Sequence, residues 1–162
     1  MLKQMLRMDL KADYEFSWCG PALVLLALGV LVGCADTLPD DIADYRERCV
    51  KMNSNPLPRT EDDPHEGTKD VFACDVPREM LEANERPFPD GTVIVKEATR
   101  EDSDFPWLVA TGRRIDGVWQ WNEYTRNFES EDFVEILGPE STCIDCHEIV
   151  ESVDWIYTFF DR

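Results

Sequence analysis

Apolar residues fall into one long run followed by a series of shorter, patterned pieces. The run is Pro21 to Val32, nearly all aliphatic. It is shorter than the roughly 20 residues needed to cross a bilayer as a helix, and it has the length of the h-region of an export signal. Beyond it, Ile42, Tyr45, Cys49 and Met52 recur at helical spacing, with Asp40 or Asp41 available as the cap, which predicts a helix. Residues 53–68 hold three prolines, four acids and two asparagines without periodicity and read as a loop. A second helix is predicted from Pro77 to Glu85. There Asp75 can cap, Pro77 suits the first turn, and Met80, Leu81 and Asn84 share a face. The turn Phe88-Pro89-Asp90-Gly91 ends it and launches the β-branched run Thr92–Lys96, with Val93 and Val95 on one face and Thr92, Ile94 and Lys96 on the other. Strands are also predicted at Trp107–Thr111 and Val118–Tyr124, separated by the turn signal Asp116-Gly117. Two more are predicted at Phe133–Leu137, which ends at Gly138-Pro139, and at Val153–Phe160. Strands outnumbering helices in this order predict an α+β domain, an antiparallel β-sheet with flanking helices.

The apolar run ends in Leu31-Val32-Gly33-Cys34, which resembles the bacterial lipobox. The resemblance implies cleavage after residue 33 and lipid on Cys34. Several acyl chains at about 0.8 kcal/mol per buried methylene hold a protein durably on a membrane. The expected organisation is a lipoprotein signal peptide at 1–33, a lipidated N-terminus and tether at 34–41, and one folded domain at 42–162. The expected location is the periplasmic side of a bacterial membrane, the outer favoured over the inner. The n-region is unusual in balancing Lys3, Arg7 and Lys11 with Asp9, Asp13 and Glu15. A short buried apolar helix followed by a chance Gly-Cys is the plainer alternative. Because residues 1–34 carry as many acids as bases, the remainder keeps the full net charge of −18. That charge repels nucleic acid and anionic headgroups and would steer a cationic redox partner toward the surface.

Cysteine usage sorts along the same lines. Cys19 leaves with the signal and Cys34 takes lipid. Cys143-Ile144-Asp145-Cys146-His147 is a C-x-x-C-H sequence, and Cys49 and Cys74 remain as a disulfide pair in an oxidising compartment. C-x-x-C-H is the attachment motif of a c-type haem. On a helical turn, positions i, i+3 and i+4 project to one side, so two thiols reach the haem vinyl groups while the imidazole reaches the iron. Val150, one turn on, would pack under the macrocycle. A zinc site would need a fourth ligand from His65, Cys49 or Cys74, and a thioredoxin-like pair would need a βαβ setting. His65, Met52 and Met80 are the candidates for a sixth iron ligand, but the methionines sit on apolar faces and His65 in an acidic proline-rich loop. An open iron that binds small ligands is the default.

Three ordered blocks resemble the cytochrome P-460 family. They are Phe88-Pro89-Asp90-Gly91-Thr92-Val93-Ile94-Val95-Lys96-Glu97, Trp119-Gln120-Trp121, and Cys143 to His147 followed by Asp154-Trp155-Ile156-Tyr157-Thr158. They span roughly Pro77 to the C-terminus. The resemblance implies a mainly antiparallel sheet with flanking helices, one covalent haem c, a homodimer, and oxidation of hydroxylamine with electrons passed to a soluble cytochrome. Lys96 stands where the family's hydroxylamine-oxidising members cross-link a lysine to a haem meso carbon. The plainer reading of Lys96 is an exposed strand-end lysine whose stem lies along the surface. Related cytochromes c-prime-beta lack that link and bind nitric oxide or carbon monoxide, which gives a second functional expectation. A simple electron carrier is the third. The segment between Lys96 and Trp119 is shorter than in the hydroxylamine-oxidising members. Glu140, close before Cys143, is the candidate to move protons, with a surface role beside Gly138-Pro139 as the alternative.

Overall fold

The computed structural model describes residues 38–61, 63–136 and 141–161. Cys34, its lipobox, the preceding apolar run and Glu140 lie outside the described residues. Six strands form a single antiparallel sheet in which every strand pairs with its sequence neighbour, in the order β1 to β6. They are β1 (Val50–Lys51), β2 (Thr68–Cys74), β3 (Val93–Thr99), β4 (Pro106–Ile115), β5 (Val118–Thr125) and β6 (Val134–Glu135). The helices are short: α1 (Tyr45–Arg48), α2 (Arg78–Ala83) and α3 (Ser141–His147), the last running into a 3-10 helix at Glu148–Val153. The α+β expectation thus holds at the level of an antiparallel sheet with a few short helices. No helix among the described residues is long and apolar enough to cross a membrane.

Strand periodicity divides the sheet into two faces. Val93 and Val95 join Phe72, Cys74, Val109 and Tyr124 in one core cluster, which Leu38, Ile42, Tyr45 and Phe133 cover. Ile94 lies in the opposite cluster with Met52, Val71, Ala73, Leu81, Phe88, Trp119 and Ile156. The alternation read from Thr92–Lys96 is therefore correct, and both faces are buried over β3. Leu38 packs in the first cluster and Asp41 ion-pairs with Arg113, so the last residues of the expected tether are held against the sheet. The β4–β5 hairpin closes through Asp116 (φ 52°) and Gly117 (φ 78°), the two left-handed residues that a tight, right-twisted hairpin requires.

Local expectations for a helix, its caps and a C-terminal strand are corrected, and strand β2 was not foreseen. The helix over Ile42–Met52 shrinks to four residues. The Cys49–Cys74 disulfide and the pairing of Val50 and Lys51 with Ala73 and Phe72 draw the chain into a strand there. Ile42 and Tyr45 then serve one face and Met52 the other. Neither Asp41 nor Asp75 caps a helix: Asp41 pairs with Arg113, while Asp75, at φ 56°, accepts from Arg48, and Pro77 occupies the N-cap of α2. Strand β2 carried no alternation to reveal it, because Val71, Phe72, Ala73 and Cys74 are buried on both faces. The expected strand at Val153–Phe160 is instead the end of the 3-10 helix followed by irregular chain. Asp154 (φ 62°) and Trp155 (φ 66°) turn the backbone out of any sheet geometry.

Candidate functional site

The second face of the sheet, with Ile94 and Lys96, is where the chemistry-bearing residues gather. Helix α3 is about two turns of chain carrying Cys143, Cys146 and His147, with Cys143 and His147 half-buried, Cys146 exposed, and neither cysteine in a disulfide. The spacing therefore falls on a helical turn, as the attachment chemistry requires.

His147 is held on three sides. Its Nδ1 lies 2.5 Å from the carbonyl oxygen of Trp155. A carbonyl only accepts, so Nδ1 carries the hydrogen and Nε2 keeps its lone pair. The imidazole packs 4.2 Å from the Trp121 ring, and the Tyr157 ring meets it edge-on at 5.4 Å. Tyr157 Oη in turn donates to the Cys146 carbonyl at 2.7 Å, tying the tail back to the helix. Burial pushes the His147 imidazolium down to about 4, against the Trp155 hydrogen bond and with help from the charges of Lys96 and His65. The side chain is thus a neutral imidazole with a fixed tautomer, the form that ligates a metal.

The Trp155 carbonyl owes its position to Asp154. This 8%-exposed carboxylate accepts from Phe88 N–H at 2.7 Å, from Trp119 Nε1 at 3.2 Å and from the Arg114 guanidinium. It therefore joins the turn before β3, strand β4 and strand β5 to the segment after α3. Ile156, next along, is buried in the same cluster. Beneath the imidazole, Trp121 is cross-strand from Gly112, where a Cβ would come within 2.8 Å of the Trp121 ring and 3.2 Å of Trp119. Glycine there lets both indoles lie across β4, stacked at 5.8 Å.

Lys96 is in the middle of β3, paired with Val71 and Ala110, and is half-buried. It is not an exposed strand-end lysine. Its Nζ is 2.8 Å from His65 Nδ1. Burial pushes the ammonium down to about 8, opposed by Asp63, aided by Lys69, and opposed again by Glu123 and Cys143. Lys96 thus stands within electrostatic reach of both Cys143 and His147. Glu97, the next residue, points to the other face as strand geometry demands, accepting from the Tyr45 hydroxyl and from Arg46 Nε at 2.7 Å.

Sequence reasoning named His65 as a candidate ligand but could not set it on this face, and it did not single out Glu123. His65 lies in the aperiodic loop, and only the sheet register sets Glu123 across from Ala110 and so beside Lys96. Met52 is fully buried among apolar neighbours, an ordinary core methionine, and Met80 is half-buried on α2. Among the described residues no three His, Cys, Asp or Glu side chains converge as a cage for a metal ion. The residues that do converge match what a covalently held haem needs: two thiols and one imidazole on a single turn, against aromatic rings. Compared with known proteins, the chain matches no protein-family model, and no curated protein matches it.

Proposed function

We propose that the chain is an exported, membrane-anchored protein with one haem c, similar to the cytochrome P-460 family, and that it oxidises hydroxylamine or a related small nitrogen compound. The observation that carries the reading is the fixed tautomer of His147. Its Nδ1 is committed to the Trp155 carbonyl, and its Nε2 is left as a ligand on the same turn as Cys143 and Cys146. Bound there, the haem would supply an iron with an open coordination position and a redox couple able to take the substrate's electrons.

The chain's own residues divide the remaining tasks. Cys143 and Cys146 would hold the group through thioethers, and His147 would ligate the iron. Trp121, Tyr157 and the Trp155 carbonyl keep the imidazole from rotating. Lys96 occupies the position of the family's cross-linking lysine, and its inward placement supports that role over a surface one. Cys34 would carry the lipid that keeps the domain on the periplasmic side of a membrane. The net charge of −18 favours a cationic soluble redox partner.

The test is the mass of the haem peptide released by proteolysis of protein purified from an exporting bacterial host. The expected product links the Lys96 peptide and the Cys143 peptide through one haem. A haem peptide with Cys143 and Cys146 alone would turn the reading to nitric oxide or carbon monoxide binding. Protein without covalent haem would overturn it.

A further inference from the structure

Helix α3 and the 3-10 helix that follows it leave one side of their chain uncovered. We infer that this side is the docking surface for a soluble, lysine-rich redox protein, which seats on Ile149 and exchanges one electron with the haem. The inference rests on the proposed haem c and lipid anchor, not on hydroxylamine as the substrate.

The surface has an apolar centre and an acidic rim. Ile149, at 76%, is the most exposed large hydrophobic side chain among the described residues. It follows the exposed Cys146 by one turn, so the two share a side of the helix. Tyr157, which donates to the Cys146 carbonyl, is 52% exposed. Asp145 and Glu148 run alongside at the same spacing, and Glu151 follows past the kink at Val150, all three exposed. None of these carboxylates pairs with a cation among the described residues. On α1, by contrast, Arg46 and Arg48 are both held by carboxylates. Residues 127–161 hold ten acids and no lysine or arginine, so the negative charge here has no local counterweight. Redox encounters use small interfaces, below about 1,200 Å², and opposite charge speeds and orients them.

Other occupants fit less well. A second copy would set acids against acids, and an anionic bilayer would do the same. The anchor also turns this side away from the membrane. Leu38 is buried in the cluster on the other face of the sheet, and three residues separate it from Cys34. Four residue steps reach at most about 14 Å. A lipid on Cys34 therefore keeps that other face beside the bilayer. Helix α3, whose His147 packs on Trp121 across the sheet, faces the water. Because Cys146 is exposed here, a haem attached to it would have one thioether at this surface. One electron passes between the haem and the partner's metal centre, one being oxidised as the other is reduced, and no bond forms or breaks.

The test is isothermal titration of the lipidated holoprotein, held in nanodiscs of zwitterionic lipid, with a lysine-rich mitochondrial cytochrome c. At an ionic strength of about 0.1 M, where charges act over about 10 Å, only charges close to the contact should matter. Glu148→Lys with Glu151→Lys is expected to weaken binding about 10-fold. Asp40→Lys with Glu47→Lys makes an equal change of charge on the tether's side and should weaken it less than about twofold. Ile149→Ser should weaken it about fivefold by removing the apolar centre. Equal weakening by both lysine pairs, none by the first pair, or no binding of the cytochrome to haem-loaded protein would overturn the inference. Binding in detergent that is lost in nanodiscs would also overturn it, by setting the surface against the membrane. Failure of the haem reading itself would be visible before any titration, as a missing haem absorption band.

Discussion

Lys96 and Glu97 are neighbours on one strand, and the two faces they enter are built on opposite principles. Around Glu97 the polar groups are closed on each other. Its carboxylate takes the Tyr45 hydroxyl and the Arg46 guanidinium, burial and that carboxylate together push the Tyr45 hydroxyl well above its usual range, and the Cys49–Cys74 disulfide lies in the same core. Around Lys96 the partners are histidine, carboxylates and a thiol-bearing helix, and His147 keeps a ring nitrogen uncommitted. On one face the polar atoms are closed on each other around the fold, and the other gathers the residues to which the proposed chemistry would fall. Residue period alone assigns a side chain to a face, while the elements that cover that face decide which of the two roles it has.

Changes on the chemical face should remove function and leave the fold. The largest effect is expected from Cys143→Ala with Cys146→Ala. Haem staining after denaturing electrophoresis should vanish, while far-ultraviolet circular dichroism keeps the sheet. Asp154→Ala breaks the difference between the faces, because Asp154 serves both fold and site. With Arg114 left only its longer 3.9 Å contact to Asp90, and with the Phe88 N–H and Trp119 Nε1 deprived of their acceptor, the loss should be about 3 kcal/mol in urea unfolding, together with a changed axial-ligand signature in the resonance Raman spectrum if the proposed haem is bound. Removing the disulfide by Cys49→Ala with Cys74→Ala should cost about 3 kcal/mol in the same titration and leave the haem spectrum unaltered.

The smallest effect concerns pH. A hydrogen bond from Arg113 holds the Asp41 carboxyl below its usual 3.8, despite partial burial. Its contribution to stability is present above the unfolded value of 3.8 and is lost as pH falls through the lower folded value. Asp41→Asn should therefore flatten the acid limb of a stability–pH curve below about pH 4, and only slightly, because Asp41 is half exposed to screening water. An unchanged limb would assign acid lability to other carboxylates.

How much of this was legible in the sequence follows from which forces are local. Strands β3, β4 and β5 announced themselves by β-branched and aromatic alternation, and the C-x-x-C-H spacing carried its own geometry. The structure also closes Cys49 with Cys74, the pair left when the other cysteines were allotted. What was hidden depended on partners far away in the chain. Strand β2 had no polar face to alternate with, and the Cys49 bend cut short a helix that spacing alone predicted. Glu123 and His65 meet only because β2 to β5 fix one register. The Asp154 to Thr158 block could be recognised from its letters, but not that its carbonyl at Trp155 would hold His147.

The nearest-neighbour order of the strands has a consequence for how the four cysteines among the described residues avoid the two pairings that would break Cys49–Cys74. Each hairpin can close on the one before it without waiting for distant chain, which favours rapid, stepwise assembly. Cys49 and Cys74 are brought together by the first pair of strands, whereas Cys143 and Cys146 arrive after the last. In the export proposed above, N-to-C emergence would let oxidation of the first pair finish before the second pair exists as an alternative. The simple topology thereby sorts in time what redox potential alone would leave to exchange.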